Sequence, residues 1–157
     1  MRKRSAMVRD NDCVFCRIIS GELDSATVFE DESTMAFLDL RQSNEGHVLV
    51  VPRNHIEQIY DLDEDTASAL ASTVCKVAWA IRQVYKPDGL SIWQSNGPAA
   101  FQEVPHVHWH VFPRYTDDRH LVVYPRDLAG RARREYSLQS LKDISVPLKD
   151  ALKENKG

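Results

Sequence analysis

Residues 105–115 read PHVHWHVFPRY, which puts His106, His108 and His110 at alternating positions, so half of the chain's six histidines fall within five residues. Three uses are open to such a row: metal coordination, catalysis, or none beyond making one face of a strand polar. On a strand, residues two apart lie roughly 6.5–7 Å from each other and the outer two roughly 13 Å apart. A zinc ion bonding imidazole nitrogen at about 2 Å can reach two neighbours of such a row and hardly all three. A solvent-facing strand ordinarily draws on Thr, Lys, Glu and Ser, so three histidines with nothing else polar between them are improbable as mere surface. Catalysis fits the row better. A histidine nucleophile presents one ring nitrogen to its substrate while a hydrogen bond to the other fixes the tautomer. Phosphorus is the natural electrophile, because imidazole attack gives a phosphoramidate labile enough to turn over.

A second group with chemistry is Cys13 and Cys16, a C-x-x-C pair. By itself the pair is equally compatible with zinc, redox chemistry or chance. Cys75 stands alone inside a helical pattern and reads as a small helix residue.

The elements that must position these residues are legible from periodicity. ATVFEDE (26–32), TMAFLDL (34–40) and GHVLVVP (46–52) read as three short strands. Leu70, Val74, Val77, Ile81 and Val84 fall at spacings of four, three, four and three, the signature of one helical face, and predict a helix over 61–85. Asp61 and Glu64 suit a capping box, KPDG (86–89) a stop, and Trp79 lies off the apolar face. LSIWQ (90–94) predicts a fourth strand, SNGPAAF (95–101) a small-residue loop, and VPHVHWHVF (104–112) a fifth strand. On that strand the histidines share one face, while Val107, Trp109 and Val111 share the other. SLQSLKDI (137–144) and PLKDALKE (147–154) read as two short helices split at Pro147. The expected fold class is α+β: a mainly antiparallel sheet of about five strands, one long helix, a short N-terminal helix and a helical C-terminal tail.

Composition bounds the function. The chain has 157 residues, 43% apolar and 27% charged, enough for one domain with a real core. A net charge of −3 supplies no basic field, so a nucleic-acid partner is not expected. The basic start, MRKRSAMVR, lacks the apolar run of a signal peptide and reads as a solvated tail over 1–12. No apolar stretch approaches a membrane span. Cysteine usage without an export signal points to a reducing compartment, the cytoplasm.

With these residues in view, the sequence resembles the histidine-triad (HIT) superfamily of nucleotide hydrolases and transferases. HVHWHVF resembles its signature of histidines alternating with apolar residues. CVFCRIISGE (13–22), AFLDL (36–40), GHVLVVPRNH (46–55), NGPAAFQEVPH (96–106) and FPRY (112–115) follow in family order. The resemblance spans roughly 13–115, which is taken as the domain, and leaves 116–157 as an extension without a matching motif.

The resemblance implies a role for each matching position. His108 is the expected nucleophile, attacking the α-phosphate of a nucleotide and carrying a covalent nucleotidyl group. Its ring is expected to be oriented by the backbone carbonyl of His110, whose side chain lies near the leaving group, with His47 completing the network. Ser95, Asn96 and Gln102 are expected at the phosphates, Phe15, Ile18 and Phe37 around the base, and Asp39 at the ribose hydroxyls. For the three apolar residues plain core packing is an equal expectation. One branch of the superfamily holds zinc on two cysteines and two histidines, which implies a structural zinc on Cys13, Cys16, His55 and His106. A homodimer joined through the long helix and a sheet edge is also implied. The implied reaction is hydrolysis of a dinucleoside polyphosphate or nucleoside phosphoramidate. Transfer to phosphate and nucleotide binding without turnover are the alternatives.

Two departures bear on the leaving-group side. Ala100-Phe101 stands where the family carries Ala-Gly, and Ser95 where it commonly carries Asn. A glycine tolerates positive φ and close approach to a phosphate, and Phe101 resists both. Trp109 is a large spacer expected to face the core. His120 has no assigned role, and the basic run 130–135 reads as a solvated helix end.

Overall fold

The structure, a computed structural model, describes residues 7–118 and 134–154. Five strands form one antiparallel sheet: β1 (Thr27–Glu30), β2 (Thr34–Leu38), β4 (Val48–Pro52), β5 (Gly89–Gln94) and β6 (Trp109–Arg114), in the order β1-β2-β4-β6-β5. A two-residue strand β3 (Arg41–Gln42) pairs with β7 (Arg134–Glu135) as a small second sheet that the hydrophobic pattern does not reveal. The helices are α1 (Val14–Ile19), α2 (Glu64–Tyr85) and α3 (Leu138–Glu154). The expected α+β class holds, with its five-stranded antiparallel sheet, short first helix and long second one.

One face of the sheet is sealed by α2 and α3. The face of α2 predicted from its spacing is the one that packs: Leu70, Val74, Val77 and Ile81 are buried against Ala36, Val48, Val50 and Val111. Burying each such side chain contributes about 1.5–3 kcal/mol. Thr34 on β2 and Thr73 on α2 are both buried, and their hydroxyls bond to each other at 2.8 Å, so this polar pair is satisfied inside the core. Trp109 packs against this core as expected, with its indole N–H buried and unpaired within the described residues. Among the described residues no helix is long and apolar enough to cross a membrane.

Three local expectations are corrected. Helix α2 starts at Glu64, not near Asp61, because Asp63 is the N-cap: its carboxylate accepts the Thr66 N–H at 2.7 Å. At the other end Lys86 takes a left-handed conformation (φ 46°) ahead of Pro87, and its N–H bonds the Arg82 carbonyl. Secondly, α3 is one helix running through Pro147, not two. The carbonyl that loses its partner to proline is that of Asp143, which lies with Pro147 on the exposed side, where water can replace the bond. Leu141, Leu148 and Ala151 on the opposite side enter the main core.

Thirdly, β6 begins at Trp109, so His106 and His108 precede the strand. Their backbone finds other partners: the His106 N–H bonds the Val104 carbonyl at 2.8 Å and the Val107 N–H bonds the Ile56 carbonyl at 2.7 Å. The alternation of side chains continues through this stretch, but the ladder does not.

Candidate active site and metal centre

The second face of the sheet carries the site, and the three histidines of the row divide there into different surroundings. His106 is fully buried, and its Nδ1 lies 3.4 Å from Cys13 Sγ and 3.7 Å from Cys16 Sγ. His55 joins them, with Nδ1 3.4 Å from Cys16 Sγ. The four donor atoms lie within 4.8 Å of one another. Cys13 is the N-cap of α1 and Cys16 lies in its first turn, so one short helix delivers both thiols to the sheet.

The hydrogen bonds suit a metal. Nε2 of His106 sits 2.9 Å from the Pro52 carbonyl, which can only accept, so that nitrogen carries the proton and Nδ1 turns its lone pair to the thiols. Nε2 of His55 lies 3.8 Å from Asp10 and 4.0 Å from Glu57. Burial holds the His106 pKa down at about 4, which keeps the ring in the neutral form a ligand needs. Two thiols and two imidazoles with outward-facing protons are a donor set suited to tetrahedral zinc.

His108 stands beside this cluster, 6% exposed. Its Nδ1 is 2.7 Å from the carbonyl of His106, not of His110 as the resemblance implied. His106 and His108 lie before β6, and the His108 ring turns back to the carbonyl two residues earlier. A carbonyl accepts only, so Nδ1 bears the proton and Nε2 keeps a lone pair. Burial, the largest influence, lowers the His108 pKa below the ordinary imidazole value, and the ring stays unprotonated at neutral pH.

His110 faces the other way along the site. Its Nδ1 is 2.9 Å from His47 Nε2, and Asp39 Oδ2 lies 3.9 Å from His110 and 3.8 Å from His47. The Ser43 N–H donates to His47 Nδ1 at 3.4 Å, so the network assigns the His47 proton to Nε2, which donates to His110. His110 then carries its own proton on Nε2. The two rings His108 and His110 are 5.0 Å apart, one presenting a lone pair and the other an N–H that can donate a hydrogen bond.

Phe15 links the site to its apolar wall. Its ring meets His108 edge-on at 5.2 Å and Phe37 at 5.5 Å. Phe15 and Phe37 are buried with Met35, Leu49 and Val51, and Ile18 packs partly buried against them. Ser95 is also buried. The amides of the loop that follows are engaged within it and with the 57–59 segment. Gln102 accepts the Gly97 N–H at 2.6 Å and donates to the Glu57 carbonyl at 2.6 Å. Asn96 accepts the Ile59 N–H at 2.7 Å and exchanges bonds with Gln94. Phe101 adopts φ 63°, the left-handed conformation that a glycine would take freely. His120 and residues 130–133 of the basic run lie outside the described residues.

One residue escaped the sequence reading. Gln42 is 2% exposed, and its carboxamide spends every bond it can make on the 39–47 loop. Nε2 donates to the carbonyls of Asp39 (2.6 Å) and His47 (2.8 Å), while Oε1 accepts the N–H groups of Gly46 and His47, both at 2.8 Å. The side chain thereby holds the two residues that flank His110, Asp39 and His47. A polar residue in a loop gives no periodic signal, and only its place between an acidic residue and a glycine-histidine pair hints at this role. Gly46 is fixed differently: at φ 96°, a Cβ there would fall 2.4 Å from the Tyr85 ring.

The fold and site define a histidine-triad protein, and comparison with known proteins agrees. The HIT domain family matches residues 20–117, and the chain belongs to that family. Protein hit of Bacillus subtilis (strain 168) is 45% identical over 104 residues, covering 66% of this chain and 72% of that protein. The adenosine 5'-monophosphoramidase hnt1 of Schizosaccharomyces pombe is 32% identical over 106 residues, covering 68% of this chain and 77% of that one. Among solved structures, a Zn-bound histidine triad family protein from Mycobacterium smegmatis superposes with a TM-score of 0.77 at 33% identity, over 91% of this chain and 94% of that chain.

Proposed function

We propose that the protein hydrolyses nucleoside 5'-phosphate derivatives at the α-phosphate through a nucleotidyl-His108 intermediate. The observation that carries this reading is the His108–His106 hydrogen bond, which leaves Nε2 of His108 as the unprotonated nitrogen beside a proton-bearing His110. In the first step Nε2 of His108 bonds to phosphorus and the bond to the leaving group breaks. The departing atom accepts a hydrogen bond from His110 Nε2–H and takes its proton from solvent. Water then attacks the same phosphorus, gives up a proton to solvent and frees His108, releasing the nucleoside monophosphate. His47 holds the tautomer of His110 throughout, and Asp39 lies 3.8 Å from His47 and 3.9 Å from His110.

The base is held by Phe15, Ile18 and Phe37, the ribose by Asp39, and the phosphates by Ser95 and the loop that Asn96 and Gln102 shape. Backbone N–H groups preset toward a phosphate that gains charge are an expected source of rate. The substrate is a nucleoside phosphoramidate or a dinucleoside polyphosphate; relatedness to a monophosphoramidase supports the first. Cys13, Cys16, His55 and His106 would hold zinc, whose role is to cross-link α1 to the segment bearing His108. Two copies pair through α2 and the edge strand β5, where Ile92 is 48% exposed. The reducing cytoplasm suits the free thiols.

The test is intact-protein mass spectrometry after brief quenching, without acid, with diadenosine polyphosphate or adenosine phosphoramidate. An added nucleotidyl mass on wild type and none on His108→Ala is the expected result. Saturable nucleotide binding with neither adduct nor product would replace the enzyme by a binding module.

A further inference from the structure

Arg41 and Glu103 form an ion pair between the two loops that bracket the histidines. Both guanidinium nitrogens NH1 and NH2 engage the two carboxylate oxygens, joining residues 62 positions apart. Arg41 is tied to the site through its backbone: its N–H donates at 2.9 Å to Oδ1 of Asp39. The other oxygen of that carboxylate lies 3.8 Å from His47 and 3.9 Å from His110. Glu103 follows the buried Gln102 and precedes His106 by three residues. Its negative charge is felt at both His108 and His110, as is that of Asp39. The pair therefore stands at the rim of the reaction centre.

Its side chains are 48% and 49% exposed, so the pair is solvated and contributes roughly 0–1 kcal/mol. A contact that weak is readily exchanged. The guanidinium stays charged at every working pH and matches phosphate oxygens with the same two-pronged geometry it offers the carboxylate. A leaving group of several phosphates brings more negative charge than Glu103 and competes for Arg41. Ammonia or a small amine leaving from a phosphoramidate has nothing to offer the guanidinium.

Resting on the function proposed above, we infer that Arg41 determines specificity on the leaving-group side. It exchanges Glu103 for an anionic, phosphate-containing leaving group, and so favours dinucleoside polyphosphates over phosphoramidates. Glu103 neutralises the rim between substrates and repels anions that fail to engage Arg41. Neither residue takes part in bond making.

The experiment compares wild type, Arg41→Gln and Glu103→Gln on diadenosine tetraphosphate and adenosine phosphoramidate. A lost charge-assisted contact corresponds to a factor on the order of 10–100. In Arg41→Gln, kcat/KM for the tetraphosphate is expected to fall by about that factor more than for the phosphoramidate. Glu103→Gln is expected to lower KM for the tetraphosphate. Equal losses on both substrates would overturn the inference. Binding of inorganic tripolyphosphate by calorimetry supplies a readout without turnover: Arg41→Gln should weaken it, and unchanged affinity would refute the role of Arg41. Wild type that binds tripolyphosphate through Arg41 but consumes neither nucleotide would instead refute the proposed reaction.

Discussion

The carbonyl of His106 lies 2.7 Å from Nδ1 of His108, while the side chain of His106 belongs to the thiol–imidazole cluster with Cys13, Cys16 and His55. One residue is thus ligand candidate and tautomer anchor at once. Loosening the cluster is expected to move the carbonyl that holds the His108 ring. Purified protein is expected to contain about one zinc per chain, and metal loss should uncouple a local crosslink rather than remove a reacting group. Cys13→Ser should lower the melting temperature and the bound metal, and lower kcat by at least about tenfold. Metal analysis, thermal denaturation and kinetics on the same sample check this. Stable, active, metal-free protein would remove the site.

Gln42 offers a test of how the other half of the site is held. Gln42→Ala leaves two buried carbonyls and two N–H groups in the 39–47 loop without their partner, and each unsatisfied group costs about 1–3 kcal/mol before relaxation. Because water enters a loosened loop, a net loss of about 2–4 kcal/mol is expected in urea denaturation. Gln42→Glu keeps the acceptors but turns a carboxylate toward the carbonyls of Asp39 and His47, so it should not rescue. Wild-type stability in either variant would mean that the loop is held from elsewhere.

How far the sequence discloses this site depends on the range of the interactions. The apolar face of α2 is visible because four buried residues repeat at helical spacing, and the Cys/His cluster because its residue types have few other uses. The orientation of His108 was not legible. His106, Val107 and His108 keep a strand's alternation while the first two bond to Val104 and Ile56, so pattern alone places them on a ladder they do not join. Pro147 misled for a similar reason: a proline costs a helix one hydrogen bond and crowds the carbonyl four residues back. Here that carbonyl belongs to the exposed Asp143, where water can serve it and packing holds the helix together. The carboxamide of Gln42 acts through four bonds within one loop, and no periodicity records them.

Burial lowers the pKa of His106, His108 and His110, so all three contribute to the pH dependence of stability, and His110 shows the sign. Burial first, and then the neighbouring His47 and His108 rings, depress its pKa far below the usual imidazole value, outweighing Asp39 and Glu103. In the unfolded chain the same ring takes up a proton near pH 6.5. Below about that pH the unfolded state binds more protons than the folded one, so stability is full above it and falls as pH is lowered. The urea midpoint should therefore drop between pH 7.5 and 5. His110→Asn should make the slope shallower without abolishing it, because His106 and His108 remain, and a variant with the wild-type slope would assign the effect to those two rings.

Phe101 allows strain and packing to be separated. Its left-handed backbone costs about 1–2 kcal/mol for a residue with a Cβ. Glycine removes that cost but frees the unfolded chain, giving back about 0.4–1 kcal/mol. Phe101→Ala keeps the strain and also loses the ring's contacts. Phe101→Gly should therefore be more stable than Phe101→Ala, by about 1 kcal/mol in chemical denaturation. Activity reads the second question. A rise in kcat/KM in Phe101→Gly would mean that the ring obstructs the proposed phosphate site, and no change that it is accommodated there. If Phe101→Ala matches or exceeds Phe101→Gly in stability, the backbone at this position is not strained and the loop tolerates a side chain without penalty.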